Sequence, residues 1–169
     1  MADGVTISNL PPATRLVVRG DGAAIAALEF AFGVDFPREA CRAATKAQRS
    51  VLWLGPDEWL LLAPDGEADA LFKTLTDALR GEPASVVGVS DRQVAIGVSG
   101  QKAAETLSVF NALDLHEDAF PVGMCPRTLF GKAEIVLWRT APDAFHIDTW
   151  RSFAPYVLGC LGEAVREFA

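Results

Sequence analysis

Apolar residues recur along this chain at two spacings, every second position and every third to fourth, and the switches between them mark its elements. Residues 15 to 19, RLVVR, gather β-branched and apolar side chains between turn residues and predict a strand. Gly20-Asp21-Gly22 turns the chain, and Asp21 is placed to cap a helix with Ile25, Leu28 and Phe32 on one face. Residues 33 to 49 carry weak signals. Val51–Leu54 and Trp59–Leu62 flank Gly55-Pro56-Asp57-Glu58, which predicts a hairpin. Asp65 then heads a helix with Leu71, Phe72, Leu75 and Leu79 inward, stopped by Gly81 and Pro83. Residues 1–13 read as a poorly ordered lead-in.

The second half follows the same plan. Strands are predicted over Ser85–Val89 and Gln93–Val98, then a helix from Ser99-Gly100 with Ala103, Leu107 and Phe110 inward. An irregular stretch, 111–126, precedes a strand from Arg127, a strand over Ala133–Arg139, a turn at Pro142-Asp143 and a strand over Phe145–Trp150. Ser152 is placed to cap the last helix, with Pro155 in its first turn and Phe153, Val157, Cys160, Leu161, Ala164 and Phe168 inward. VLWLGPDEWLLL (51–62) and VLWRTAPDAFHI (136–147) are one hairpin written twice. A single copy has too few strands to cover its helices, so two copies must pack as one domain of pseudo-symmetric halves, about 14–82 and 85–168. Short turns between strands make the sheets mainly antiparallel, and the fold class α+β.

Composition narrows the function. Half of the 169 residues are apolar and 22% are charged, which is globular. The net charge is −7 with no basic stripe, against a nucleic-acid or anionic-membrane partner. No apolar run reaches membrane-spanning length, and the N-terminus lacks a signal-peptide pattern, so the expected location is cytoplasmic. Cys41, Cys125 and Cys160 are an odd set without a C-x-x-C pair, which fits reduced thiols.

No catalytic, cofactor-binding or metal-binding set stands out. His146, Asp148 and Trp150 alternate on one strand face, and a His–carboxylate pair can do acid–base work, but no nucleophile can be placed beside it. Asp91-Arg92 reads as a structural ion pair. Trp53, Trp59 and Trp138 read as core. The apolar loop Val122-Gly123-Met124-Cys125 beside Arg127 lies outside the regular elements. The loop reads equally as cover for the core and as a docking surface, and Val122, Met124, Cys125, Arg127 and Trp150 are the interface candidates.

Several stretches carry a family resemblance: SDRQ (90–93), FPVGMCPRT (120–128), KAEIVLWR (132–139) and WRSFAPYV (150–157). Through them the chain resembles the gamma subunit of heterotetrameric sarcosine oxidase. The resemblance implies a complex that oxidises sarcosine to glycine, passes the one-carbon unit to tetrahydrofolate and releases hydrogen peroxide. It implies alpha, beta and delta subunits as partners, with FAD, FMN, NAD and zinc on those subunits and no cofactor on this chain. It also implies a fold similar to the folate-binding domain of the glycine-cleavage aminomethyltransferase. That family writes Gly-Glu-x-Gly-aromatic at the second hairpin, with its acid in the folate site. Here the stretch is Ala141-Pro142-Asp143-Ala144-Phe145, with proline in the acid's place. Three readings follow: a non-catalytic assembly subunit, a folate-binding module, or a free-standing enzyme using His146 and Asp148. An apolar docking surface would also let isolated chains self-associate.

Overall fold

The computed structural model describes residues 4–167. Phe168, expected on the inner face of the last helix, and residues 1–3 of the lead-in lie outside them. The elements are β1 (Thr6–Asn9), β2 (Ala13–Arg19), α1 (Gly22–Phe32), β3 (Ala43–Lys46), β4 (Arg49–Gly55), β5 (Glu58–Pro64), α2 (Ala68–Ala78), β6 (Ser85–Gly88), β7 (Gln93–Ser99), α3 (Ala103–Ser108), β8 (Arg127–Phe130), β9 (Ala133–Ala141), β10 (Ala144–Trp150) and α4 (Ala154–Arg166). They form two compact units. One spans residues 12–91; the other joins residues 92–167 to the described N-terminal residues up to Pro11.

Each unit holds one antiparallel five-stranded sheet. The orders are β3-β4-β5-β2-β6 and β8-β9-β10-β7-β1. The two orders match strand for strand, as a duplicated unit requires. One detail departs from simple repetition. β1 runs directly into β2 but pairs with β7, and β6 runs directly into β7 but pairs with β2. The short edge strands are thus exchanged between the copies.

Several sequence expectations need correction here. Residues 6–9, expected as part of a lead-in, form β1. The weak region 33–49 contains β3. Asp65 does not cap α2. The capping position is Glu67, and its backbone N–H donates to Thr14 Oγ1 of β2 at 3.1 Å. Ser152 likewise gives way to Phe153 at the head of α4. Asp21 does hold the cap position of α1, though its side chain makes no capping bond.

In the first unit α1 lays Ala24, Ile25, Leu28 and Phe32 against Leu16, Val18, Val51, Trp59 and Leu61 of the sheet, with Leu71 and Leu75 of α2 beside them. Burying a side chain such as Leu28 or Phe32 contributes about 1.5–3 kcal/mol. Phe72 is exposed, because Leu71, Leu75 and Leu79 take the inward line and leave their neighbour about 100° off it. The second unit repeats the arrangement with Ile96, Val98, Ile135, Leu137, Phe145 and Ile147 under Leu107, Val157 and Leu161. Phe153 is excluded from this core and stands 39% exposed, since it precedes the helix instead of lying on its inner face.

The irregular stretch after α3 is fastened by buried polar groups. Asn111 is buried; its Nδ2 donates to the Leu129 carbonyl at 2.8 Å, and its Oδ1 accepts the Leu113 N–H at 3.0 Å. Asn111→Ala strands both partners, and a loss of about 1–3 kcal/mol is expected. Denaturant unfolding at constant slope measures it. An unchanged midpoint would show that these bonds contribute nothing net.

Candidate functional site

The loop singled out from sequence continues the second sheet. The Gly123 N–H donates to the Arg139 carbonyl at 2.8 Å, the Arg139 N–H to the Met124 carbonyl at 2.9 Å, and the Leu137 N–H to the Pro126 carbonyl at 3.0 Å. This backbone pairing along β9 decides where the side chains go. Cys125 is fully buried, and Met124 is half-buried on the unit's core. Val122 points outward at 47% exposure. Arg127 lies on β8 with its Nε 4.0 Å from Glu134 Oε1. Of the loop's interface candidates, Cys125 therefore offers no surface at all, and Val122 offers the most.

Arg139 holds the same region from inside. It shares a face of the sheet with Ile135 and Leu137, in a position that otherwise takes apolar residues. Its Nη1 donates to the Phe120 carbonyl at 2.7 Å and the Leu115 carbonyl at 3.4 Å. Its Nε donates to the Pro142 carbonyl at 3.0 Å, and Nη2 reaches the same oxygen. The guanidinium lies over the Phe145 ring, 5.2 Å from its centroid. One buried cation thus fixes the 115–120 segment and the β9–β10 turn together.

That turn, Ala141-Pro142-Asp143-Ala144-Phe145, is closed by its own backbone and by a buried ring. The Pro142 carbonyl is taken by Arg139, and the Asp143 carbonyl accepts the Gly100 N–H at 2.8 Å. Phe145 is buried against Phe120, with ring centroids 6.2 Å apart. Proline at 142 carries no hydrogen-bonding group on its side chain.

His146 Nε2 lies 3.3 Å from Asp148 Oδ2, and the imidazole stands 5.7 Å from the Trp138 ring. The two alternate on one face of β10, as expected. No serine or cysteine among the described residues is hydrogen-bonded to His146. His116 is exposed in its loop, 3.5 Å from Asp118. Among the described residues no group of three or more His, Cys, Asp or Glu could hold a metal ion. The three cysteines form no disulfide, and burial pushes the Cys41 thiol above the ordinary range, with Arg42 opposing.

Trp150 has a different setting. It ends β10 and is 43% exposed. The Phe153 ring lies 6.4 Å away, and the Arg92 guanidinium stands 5.2 Å from the indole centroid. Tyr156, also exposed, follows one turn along α4, its hydroxyl accepting the Lys132 N–H at 3.1 Å. Sequence reasoning found Trp150 here but missed Arg92, Phe153 and Tyr156. The available signal was three aromatics within seven residues, 150–156, at a strand-to-helix junction.

No helix among the described residues is long and apolar enough to cross a membrane. Comparison with known proteins places these features in context. The sarcosine oxidase subunit gamma of an Arthrobacter species is 33% identical over 99% of this chain and 83% of its own length. A chain of the heterotetrameric sarcosine oxidase from Corynebacterium sp. U-96, solved with pyrrole 2-carboxylate, superposes with a TM-score of 0.91 at 33% identity. The match covers 97% of this chain and 85% of that one. The glycine cleavage system aminomethyltransferase T from Bartonella henselae shares the fold, with a TM-score of 0.71 at 15% identity over 94% of this chain and 45% of its own. A profile of the sarcosine oxidase gamma subunit family matches residues 18–167. With that profile spanning most of the chain and relatives one-third identical along nearly all of it, the chain belongs to the sarcosine oxidase gamma subunit family.

Proposed function

We propose that this chain is a non-catalytic assembly subunit of a sarcosine oxidase complex in the cytoplasm. In that complex sarcosine is oxidised to glycine, the one-carbon unit passes to tetrahydrofolate, and oxygen leaves as hydrogen peroxide. The alpha, beta and delta subunits carry the FAD, FMN, NAD and zinc of this chemistry. The observation that supports this reading best is the likeness, over nearly the whole chain, to a chain solved within a heterotetrameric sarcosine oxidase. The second-half turn adds weight against a folate module, since Pro142 offers no acid there.

The test is capture of the flavin-bearing subunits by the tagged chain when all subunits are co-expressed. The expected eluate is yellow and forms peroxide when sarcosine is added. A colourless, lone chain that binds tetrahydrofolate would overturn the assembly role and favour the folate-binding reading.

A further inference from the structure

The corner where β10 meets α4 combines features seldom found together on a surface without a partner. Trp150, Phe153 and Tyr156 are 43%, 39% and 39% exposed, although each is large enough to fill a core position. Trp, Tyr and Arg are the residues that dominate binding energy at protein interfaces. Their backbone is already fixed: the Phe153 N–H donates to the Trp150 carbonyl at 2.9 Å, and the Arg151 N–H to the Arg92 carbonyl at 2.8 Å. Tyr156 is held by the Lys132 N–H, and Gly131, with φ +58, lies so close that any side chain there would strike the tyrosine hydroxyl. Surface aromatics that are immobilised beforehand lose little entropy on binding.

Arg92 supplies the charge. Its guanidinium carbon stands over the Trp150 ring, 5.2 Å from the centroid, and its side chain makes no hydrogen bond or ion pair to any described residue. A guanidinium held over an indole keeps all its N–H donors, the fork that receives a carboxylate with two hydrogen bonds. This cation stands on a chain whose net charge is −7, where carboxylates outnumber cations. The Tyr156 hydroxyl accepts from Lys132, so its own proton remains to be donated outward.

We propose that Arg92, Trp150, Phe153 and Tyr156 form the surface by which this chain docks onto a partner subunit. The occupant is a partner segment that presents an Asp or Glu carboxylate to Arg92 and an apolar side chain to the aromatic trio. This assignment rests on the assembly reading. It moves the main contact from the 122–127 loop, whose Met124 and Cys125 turn inward, to the β10–α4 corner.

The experiment uses the full complex. Tagged wild type and the variants Arg92→Glu, Arg92→Lys, Trp150→Ala and Phe30→Ser are each co-expressed with the flavin-bearing subunits. Affinity is then measured by titrating the purified chain against the gamma-depleted assembly. Phe30 is 90% exposed on the other unit and serves as the control apolar position. Losses on the order of 30-fold are expected for Arg92→Glu and Trp150→Ala, the scale of hot-spot truncations. Arg92→Lys keeps the charge without the planar fork, so an intermediate loss that shrinks in high salt is expected. Phe30→Ser should bind as wild type does. The substituted side chains are surface groups, so unchanged far-ultraviolet dichroism accompanies these results. Wild-type affinity in both Arg92→Glu and Trp150→Ala would overturn the docking surface while leaving the assembly role standing. An equal loss in Phe30→Ser would overturn it as well, since the effect would not be local. A wild-type chain that captures no flavin-bearing subunit would overturn both.

Discussion

Arg139→Ala is expected to destabilise the protein by at least about 3 kcal/mol, because it strips the donors from several buried carbonyls at once. The alanine removes the donors that satisfy three backbone carbonyls, at Leu115, Phe120 and Pro142. Each carbonyl left dry costs about 1–3 kcal/mol. It also empties the space over the Phe145 ring. Arg139→Lys should recover only part of the loss, because one ammonium lacks the planar fork that reaches separate carbonyls. Chemical denaturation monitored by tryptophan fluorescence would measure both. The carbonyls lie on an irregular segment, so proteolysis should open within 115–126 before the strands yield. If Arg139→Ala unfolds within about 1 kcal/mol of wild type, then water replaces the guanidinium at little cost and the clamp is unimportant.

The second large effect is expected at Gly100. Its φ is +118, a region that side-chain-bearing residues avoid, and a Cβ there would collide with the Gly4 carbonyl. The same carbonyl accepts the Lys102 N–H at 3.1 Å, so it cannot retreat without losing a bond at the head of α3. Gly100→Ala therefore combines backbone strain of about 1–3 kcal/mol with displacement of the segment leading into β1. The result should be local. Hydrogen exchange of residues 6–9 should accelerate far more than exchange in β9 or β10, because β1 pairs with β7 alone. Unaltered protection across β1, together with a wild-type unfolding midpoint, would show that the chain accommodates the extra carbon.

The hairpins β4–β5 and β9–β10 were legible because their signals are local: apolar runs of adequate length around Pro-Asp turns. Recognising the repetition gave two like units, while their strand orders came from the structure. β1 escaped notice, since Thr6-Ile7-Ser8-Asn9 is short, largely polar and mostly exposed even when paired. Its partner lies on β7, far along the chain, and no local pattern announces it. The helix caps failed for a related reason. Thr14, far away in sequence, takes the Glu67 N–H that Asp65 was expected to serve. At the candidate site, Trp150 was identified but its setting was not. Phe153 has a plausible inward spacing and still lies outside, because the helix begins after it. Arg139 could have been found by asking why a charge follows Ile135 and Leu137 at the same period. A cation at an inward position implies acceptors, and here they come from an irregular segment that periodicity does not describe.

The exchanged edge strands also set an order of events during synthesis. All five strands of the first sheet lie between residues 12 and 91, so that sheet can close while the ribosome is still making the rest. β1 emerges before any of them, yet its partner spans Gln93–Ser99 and leaves the ribosome later. Of the ten strands among the described residues, the first in chain order is therefore among the last to find its place. Its threonine, serine and asparagine suit that wait, because an unpaired polar strand stays hydrated instead of sticking to its neighbours. Once Gln93–Ser99 is available, β1 can pair with it, so the second sheet is completed by a strand that precedes the whole first sheet in the chain.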